Sequence, residues 1–95
     1  MIMVHELKTD PGAFDDIVAG IKPFELRFND RNYQVGDTLI LRKTKYTGEE
    51  MAEGKPLEYI SSPLYLNVTY ILSGKLYGLK SGWVIMAIHC CDTHG

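Results

Sequence analysis

No apolar run in this chain approaches the 18 or more residues needed to span a bilayer, and the first residues form neither a basic n-region nor an apolar h-region. Those two absences predict a soluble, cytoplasmic protein with no membrane partner. Cysteine is nearly absent as well: Cys90 and Cys91 are the only two, and they are adjacent. Sequence neighbours seldom meet disulfide geometry without strain, so a reducing compartment fits best. An excess of one charge is also missing. A net charge of -2 excludes a chain that coats nucleic acid or membrane through bulk electrostatics. There is no internal repeat and no low-complexity segment.

What is present is 95 residues, 45% of them hydrophobic, enough apolar mass for one core; residues 1–95 therefore read as a single domain. A first strand is expected over 1–7. A helix follows over 11–19: Asp10 suits the N-cap, Pro11 the first helical position, and Phe14, Ile17 and Val18 recur at the spacing of a buried stripe. Gly20 supplies its C-terminal cap. Residues 23–28 alternate apolar Phe24, Leu26 and Phe28 with polar Glu25 and Arg27, which is the period of a strand. Turns are expected at 29–32 and 35–37, and strands at 38–44, 65–72 and 82–89, the last apolar on both faces and hence central. A single turn is expected at 76–79. Between the strands at 38–44 and 65–72, residues 45–63 show little periodicity. They read as a loop or flap, with a short helical turn near 47–52.

One N-terminal helix with about five mostly antiparallel strands gives an α+β, mainly β, barrel. Its expected core is Phe14, Val18, Phe24, Leu26, Leu39, Leu41, Val68, Tyr70, Ile85 and Ala87.

The informative charge lies between residues 22 and 45. Six basic residues (Lys22, Arg27, Arg31, Arg42, Lys43 and Lys45) meet three acidic ones (Glu25, Asp30 and Asp37) there, a local excess of three on a mildly acidic protein. Side chains two apart on a strand project together about 6.5 to 7 Å apart, so Glu25 and Arg27 share a face, and Lys22 can swing toward either. The plain reading is a surface ion-pair cluster beside a helix C-terminus, of little net energy. The functional reading is a cradle for a specific anion, with Arg27 or Lys22 on a phosphate or base edge and Glu25 orienting them or accepting from an exocyclic amine. Tyr46, flanked by Lys43 and Lys45, is the aromatic chosen as a stacking platform from among Tyr46, Tyr59, Tyr65, Tyr70, Tyr77 and Trp83.

The pattern Gly20-x-Lys22-x-x-Glu25-x-Arg27 resembles the signature of ASCH domains, a branch of the PUA-like superfamily. The fragments His5-Glu6-Leu7-Lys8, Asn29-Asp30-Arg31, Val35-Gly36-Asp37, Tyr46-Thr47-Gly48 and Val68-Thr69-Tyr70-Ile71-Leu72 are similar in order and spacing to a small ASCH-like family of phage and bacterial genomes. The resemblance implies a mixed pseudo-barrel with a helix against one opening. It also implies a cleft for RNA or a modified nucleoside beside Lys22, Glu25 and Arg27, and the local basic excess adds Arg31, Arg42, Lys43 and Tyr46 as assisting residues. Some ASCH proteins resemble amidohydrolases acting on acylated cytidine, which use the motif lysine, a threonine on the motif strand and a later glutamate; others are described as nucleases. Here Glu25 stands where that threonine would be, so an enzyme would rest on Lys22 as a base or on Glu25 activating water. A third class is a phage-encoded module that binds a host protein. No cofactor is expected. His89-Cys90-Cys91-x-x-His94 holds four soft ligands, but structural zinc sites draw pairs from two separated segments, so no metal is expected either. His5, near Lys8, reads equally as a cleft residue and as a satisfied strand histidine.

Overall fold

A computed structural model describes residues 2–74 and 77–90. The chain forms β1 (Val4–Thr9), α1 (Pro11–Val18), β2 (Phe24–Phe28), β3 (Thr38–Lys43), α2 (Gly48–Ala52), β4 (Leu64–Ser73) and β5 (Trp83–Cys90). The five strands make one curled sheet in the order β1-β3-β4-β5-β2. β1 runs parallel to β3, and the β3–β4, β4–β5 and β2–β5 pairs are antiparallel. The fold is α+β and mostly β. No helix of the described residues is long and apolar enough to cross a membrane.

The core lies inside the curl. Leu7 of β1, Leu39 and Leu41 of β3, Leu66 and Val68 of β4, and Val84, Met86 and Ile88 of β5 meet Phe14 and Ile17 of α1 and Tyr33 of the β2–β3 connection. Four of the ten expected core residues are in the core. Phe14, Leu39, Leu41 and Val68 are buried, whereas Val18, Phe24, Leu26 and Tyr70 are exposed, and Ile85 and Ala87 lie half-buried on the outer surface. Each difference has a local cause. In α1 the stripe ends at Ile17, because the helix stops at Val18. In β4 the register slips between Val68 and Tyr70. That bulge turns Tyr70 and Leu72 outward and Ile71 inward, where plain alternation would have kept Tyr70 inside. On β5 both faces are apolar, and the one that packs inward is Val84-Met86-Ile88.

Two further expectations shift. β1 starts and ends later than residues 1–7. Asp10 makes no side-chain cap on α1; its Oδ1 instead accepts from the Gly48 amide at 2.9 Å, tying α1 to the start of α2. The 45–63 excursion does carry the short helix, fixed by a capping box in which Thr47 and Glu50 serve each other's amides. Backbone bonds from Lys45 to Glu58 O and from Ile60 to Lys43 O then fold the excursion back beside the end of β3. The turn expected at 76–79 falls partly outside the described residues.

Candidate functional site: the seam between the two edge strands

β1 and β2 are the two edges of the curled sheet, and no backbone ladder joins them. In β1 the odd-numbered positions serve β3: Thr9 O accepts from Thr44 N, and Met3 O from Thr38 N. The even-numbered carbonyls therefore face the open edge. Two arginines reach across to them. Arg27 Nη2 donates to Lys8 O at 2.9 Å, and Arg31 Nη1 donates to Glu6 O at 2.8 Å. The barrel is thus closed along this seam by guanidinium groups rather than by backbone pairing.

Lys22 reaches the seam because α1 ends in a tight reversal. Gly20 adopts φ +78°, a conformation that a Cβ would strain, and the Ile21 and Lys22 amides both donate to Asp16 O. Pro23 then opens β2. Glu25, 2% exposed, points inward between two cations: Lys22 Nζ donates to its Oε1 at 3.1 Å and Arg27 Nε to its Oε2 at 2.8 Å. The cationic side chains are each about a quarter exposed. A buried carboxylate is tolerated only with such partners. The sequence placed Phe24, Leu26 and Phe28 inside and Glu25 outside; the structure has the opposite, although it does bring Lys22, Glu25 and Arg27 together.

Two cavities adjoin along the seam. One, of about 240 Å³, is lined by Thr9, Asp10, Lys22 and Glu25; the next, of about 220 Å³, by Glu6, Arg31 and Tyr59; Lys8 and Arg27 line both. Arg42 borders the second through its bond to Glu6 Oε2 at 3.2 Å and its guanidinium stacked 4.1 Å from the Tyr59 ring centre. The other two sequence candidates lie elsewhere. Lys43 pairs with Asp15 of α1 at 2.8 Å, and Tyr46 sits between the Lys45 and Lys55 ammonium groups, outside both cavities. Tyr59, rather than Tyr46, is the aromatic that the fold brings to the seam.

Sequence reading missed Thr9. It is 3% exposed, lines the first cavity, and its hydroxyl has no hydrogen-bond partner. The alternation of His5, Leu7 and Thr9 was the available signal, obscured because the three differ so much in polarity. Asp37 was missed too. Wholly buried at the entry to β3, its carboxylate accepts from the Met3 and Gln34 amides and lies 2.8 Å from His5 Nε2, whose ring meets Tyr33 edge-on. Burial alone would push that carboxyl up, but the bonds from Met3, His5 and Gln34 outweigh it and hold it below the ordinary aspartate value. His5 is therefore a satisfied strand histidine. Burial pushes the Tyr33 hydroxyl up, against the pull of Arg31 and Arg27.

A larger cavity, about 710 Å³, opens at the far end of the barrel among Asn29, Tyr33, Gln34, Ser73, Ser81 and Trp83, and its described lining carries no charged side chain. No cluster of three or more metal-ligating side chains occurs among the described residues. Cys91 and His94 lie outside the described residues; His89 and Cys90 are exposed, with His89 Nδ1 2.9 Å from Cys90 O.

The chain belongs to the family described as "Domain of unknown function (DUF3850)", whose model matches residues 4–88. It is also similar to the "Uncharacterized 12.9 kDa protein in GpA 3'region" of Escherichia phage P2, with 46% identity over 43 residues. That match covers 45% of this chain and 39% of the phage protein.

Proposed function

We propose that the seam between β1 and β2 is a ligand site for RNA or a nucleotide, on a barrel of the ASCH and PUA-like kind. The observation that carries the reading is the Glu25 carboxylate, buried yet clasped by two cations whose remaining surfaces line open cavities. The cavities are lined by four cationic side chains and three carboxylates, so the site is mixed rather than simply basic. A nucleotide has the matching pair of features. Its phosphate would lie against Lys8 and Arg31 in the outer cavity, beside the Tyr59 ring; its base edge would enter the inner one, offering an exocyclic amine to Glu25 and a hydrogen bond to the Thr9 hydroxyl.

The runner-up is a small hydrolase using Lys22 and Glu25. Binding is favoured over it because both carboxylate oxygens and the lysine amine are already engaged with each other, so either group must leave its partner to act as a base. Incubation with acylated cytidine nucleosides should give no turnover.

The direct test is an amide-shift titration with short single-stranded RNAs and modified nucleotides. Shifts should gather on residues 6–10 and 20–31. Lys8→Ala, which removes an exposed cation, should weaken binding without unfolding the protein, and Arg27→Ala should weaken it by about 1 to 3 kcal/mol. The salt dependence should be shallow, about 0.7 in logarithmic slope for each phosphate held on a single strand. Saturating ligand with no shifts along the seam would sink the reading.

A further inference from the structure

The outward surface of the β4–β5–β2 half of the sheet is built in cross-strand rows. The registers align Tyr70 with Ala87 and Phe24, Leu72 with Ile85 and Leu26, and Trp83 with Phe28. Directly opposed residues point to one side of a sheet, so every outward position in these rows is apolar. Five of the eight are large and stay open: Phe24, Leu26, Phe28, Tyr70 and Trp83 are 37–62% exposed. Two of the rings pack against each other. Phe28 lies over Gly82, where a Cβ would come within 2.6 Å of its ring, and meets Trp83 edge-on at 6.0 Å.

We infer that this face is the contact surface of a symmetric homodimer, each copy laying its β4–β5–β2 face on the same face of the other. With aromatic side chains presenting 150–250 Å² when fully open, the exposed fractions amount to roughly 500 Å² of apolar surface. A standard interface buries about 800 Å² per partner, of which about 65% is apolar in homodimers, and the two quantities agree. The chemistry also selects a copy over other occupants. No row contains a charge that would read a phosphate or an acidic partner, and Lys22, over the Phe24 ring at 5.2 Å, is already committed to Glu25. An aromatic sheet face whose rows carry no charge is complementary to itself, and two such faces stack about 10 Å apart. A mostly apolar groove of about 290 Å³ beside Leu26 and Trp83, bordered by Leu79 and the Lys80 side chain, gives room for a ring from the second copy. The face meets the seam along β2, where Leu26 also lines the inner cavity and Lys22 lies over the Phe24 ring, so this dimer would border the ligand site.

The test is sedimentation equilibrium of the full chain over rising concentration, with the emission of Trp83, the single tryptophan, followed alongside. Expected are a rise to twice the monomer mass and a shift of emission to shorter wavelength over the same range. Leu26→Lys and, separately, Tyr70→Lys should hold the mass at monomer with an unchanged circular dichroism spectrum. A wild-type chain that stays monomeric, a dimer whose tryptophan emission does not move, or a dimer unaffected by both substitutions would each overturn the inference. So would a monomer whose Trp83 emission responds instead to single-stranded RNA, which would assign the face to base stacking.

Discussion

Strand β3 turns Leu39 and Leu41 inward with no residual exposure, while β2 turns Glu25 inward at 2% and leaves Phe24, Leu26 and Phe28 41–51% exposed. In β3 Leu39 and Leu41 alternate with Thr38, Ile40 and Arg42, and the leucines turn inward; in β2 Phe24, Leu26 and Phe28 alternate with Glu25 and Arg27, and the polar set turns inward. The difference follows from their neighbours. β3 lies between β1 and β4, with its backbone satisfied on both sides, so its inner surface is free to be apolar. β2 is an edge facing the unpaired carbonyls of β1, so the side chains it sends inward must be donors, or a carboxylate that holds donors in place.

The sharpest way to break the comparison is to truncate the inner surface of β3. Leu41→Ala should cost about 2 to 5 kcal/mol, the range for a fully enclosed leucine, and chemical denaturation would measure it. Asp37, at the entry to the same strand, should come next. Asp37→Asn leaves His5 and two amides with a poorer acceptor and should cost about 3 kcal/mol near neutral pH. Its folded pKa lies below the unfolded value of about 3.9, so this carboxylate's contribution is fully present above that pH and is lost as pH falls through the lower folded value. The variant's stability should accordingly vary less with pH than the wild type's below about pH 4. Glu25→Gln should cost less, about 1 to 2 kcal/mol, because its cationic partners keep partial access to water. Smallest of all, Leu26→Ser on the outer surface should change monomer stability by no more than about 0.5 kcal/mol. If Leu26→Ser proved as costly as Leu41→Ala at concentrations that keep the chain monomeric, the inside-out reading of β2 would be wrong.

The same contrast explains how much could be read from sequence. Period two located β2 and β4, runs apolar on both faces located β3 and β5, and helical spacing placed α1, because these patterns are local properties of the chain; β1, expected over 1–7, lies at Val4–Thr9. Which phase faces the core is not local. For Leu39 and Leu41 the default, apolar inward, holds; for Glu25 it fails, since the deciding partners Lys8 and Glu6 lie 17 or more positions away. Tyr70 fails for another reason: a one-residue slip near Thr69 leaves no mark in composition. The candidate site was legible as a cluster, because Lys22, Glu25 and Arg27 are close in sequence. Thr9 and Tyr59 join it only through the closure of the seam, and Lys43 and Tyr46 drop out because α1 and the 45–63 excursion draw them away.

Two arginines standing in for a missing backbone ladder also have a consequence for how this protein behaves in a crowd. An exposed strand edge is a template on which another chain can add a strand, and β1 presents one with half its carbonyls turned outward. Arg27 and Arg31 occupy Lys8 O and Glu6 O, so an incoming strand would find those acceptors already taken and a fixed positive charge beside each. Removing both guanidinium groups would leave the fold its apolar core but return the β1 edge to solvent. Such a chain would meet its limit in edge-to-edge aggregation rather than in unfolding.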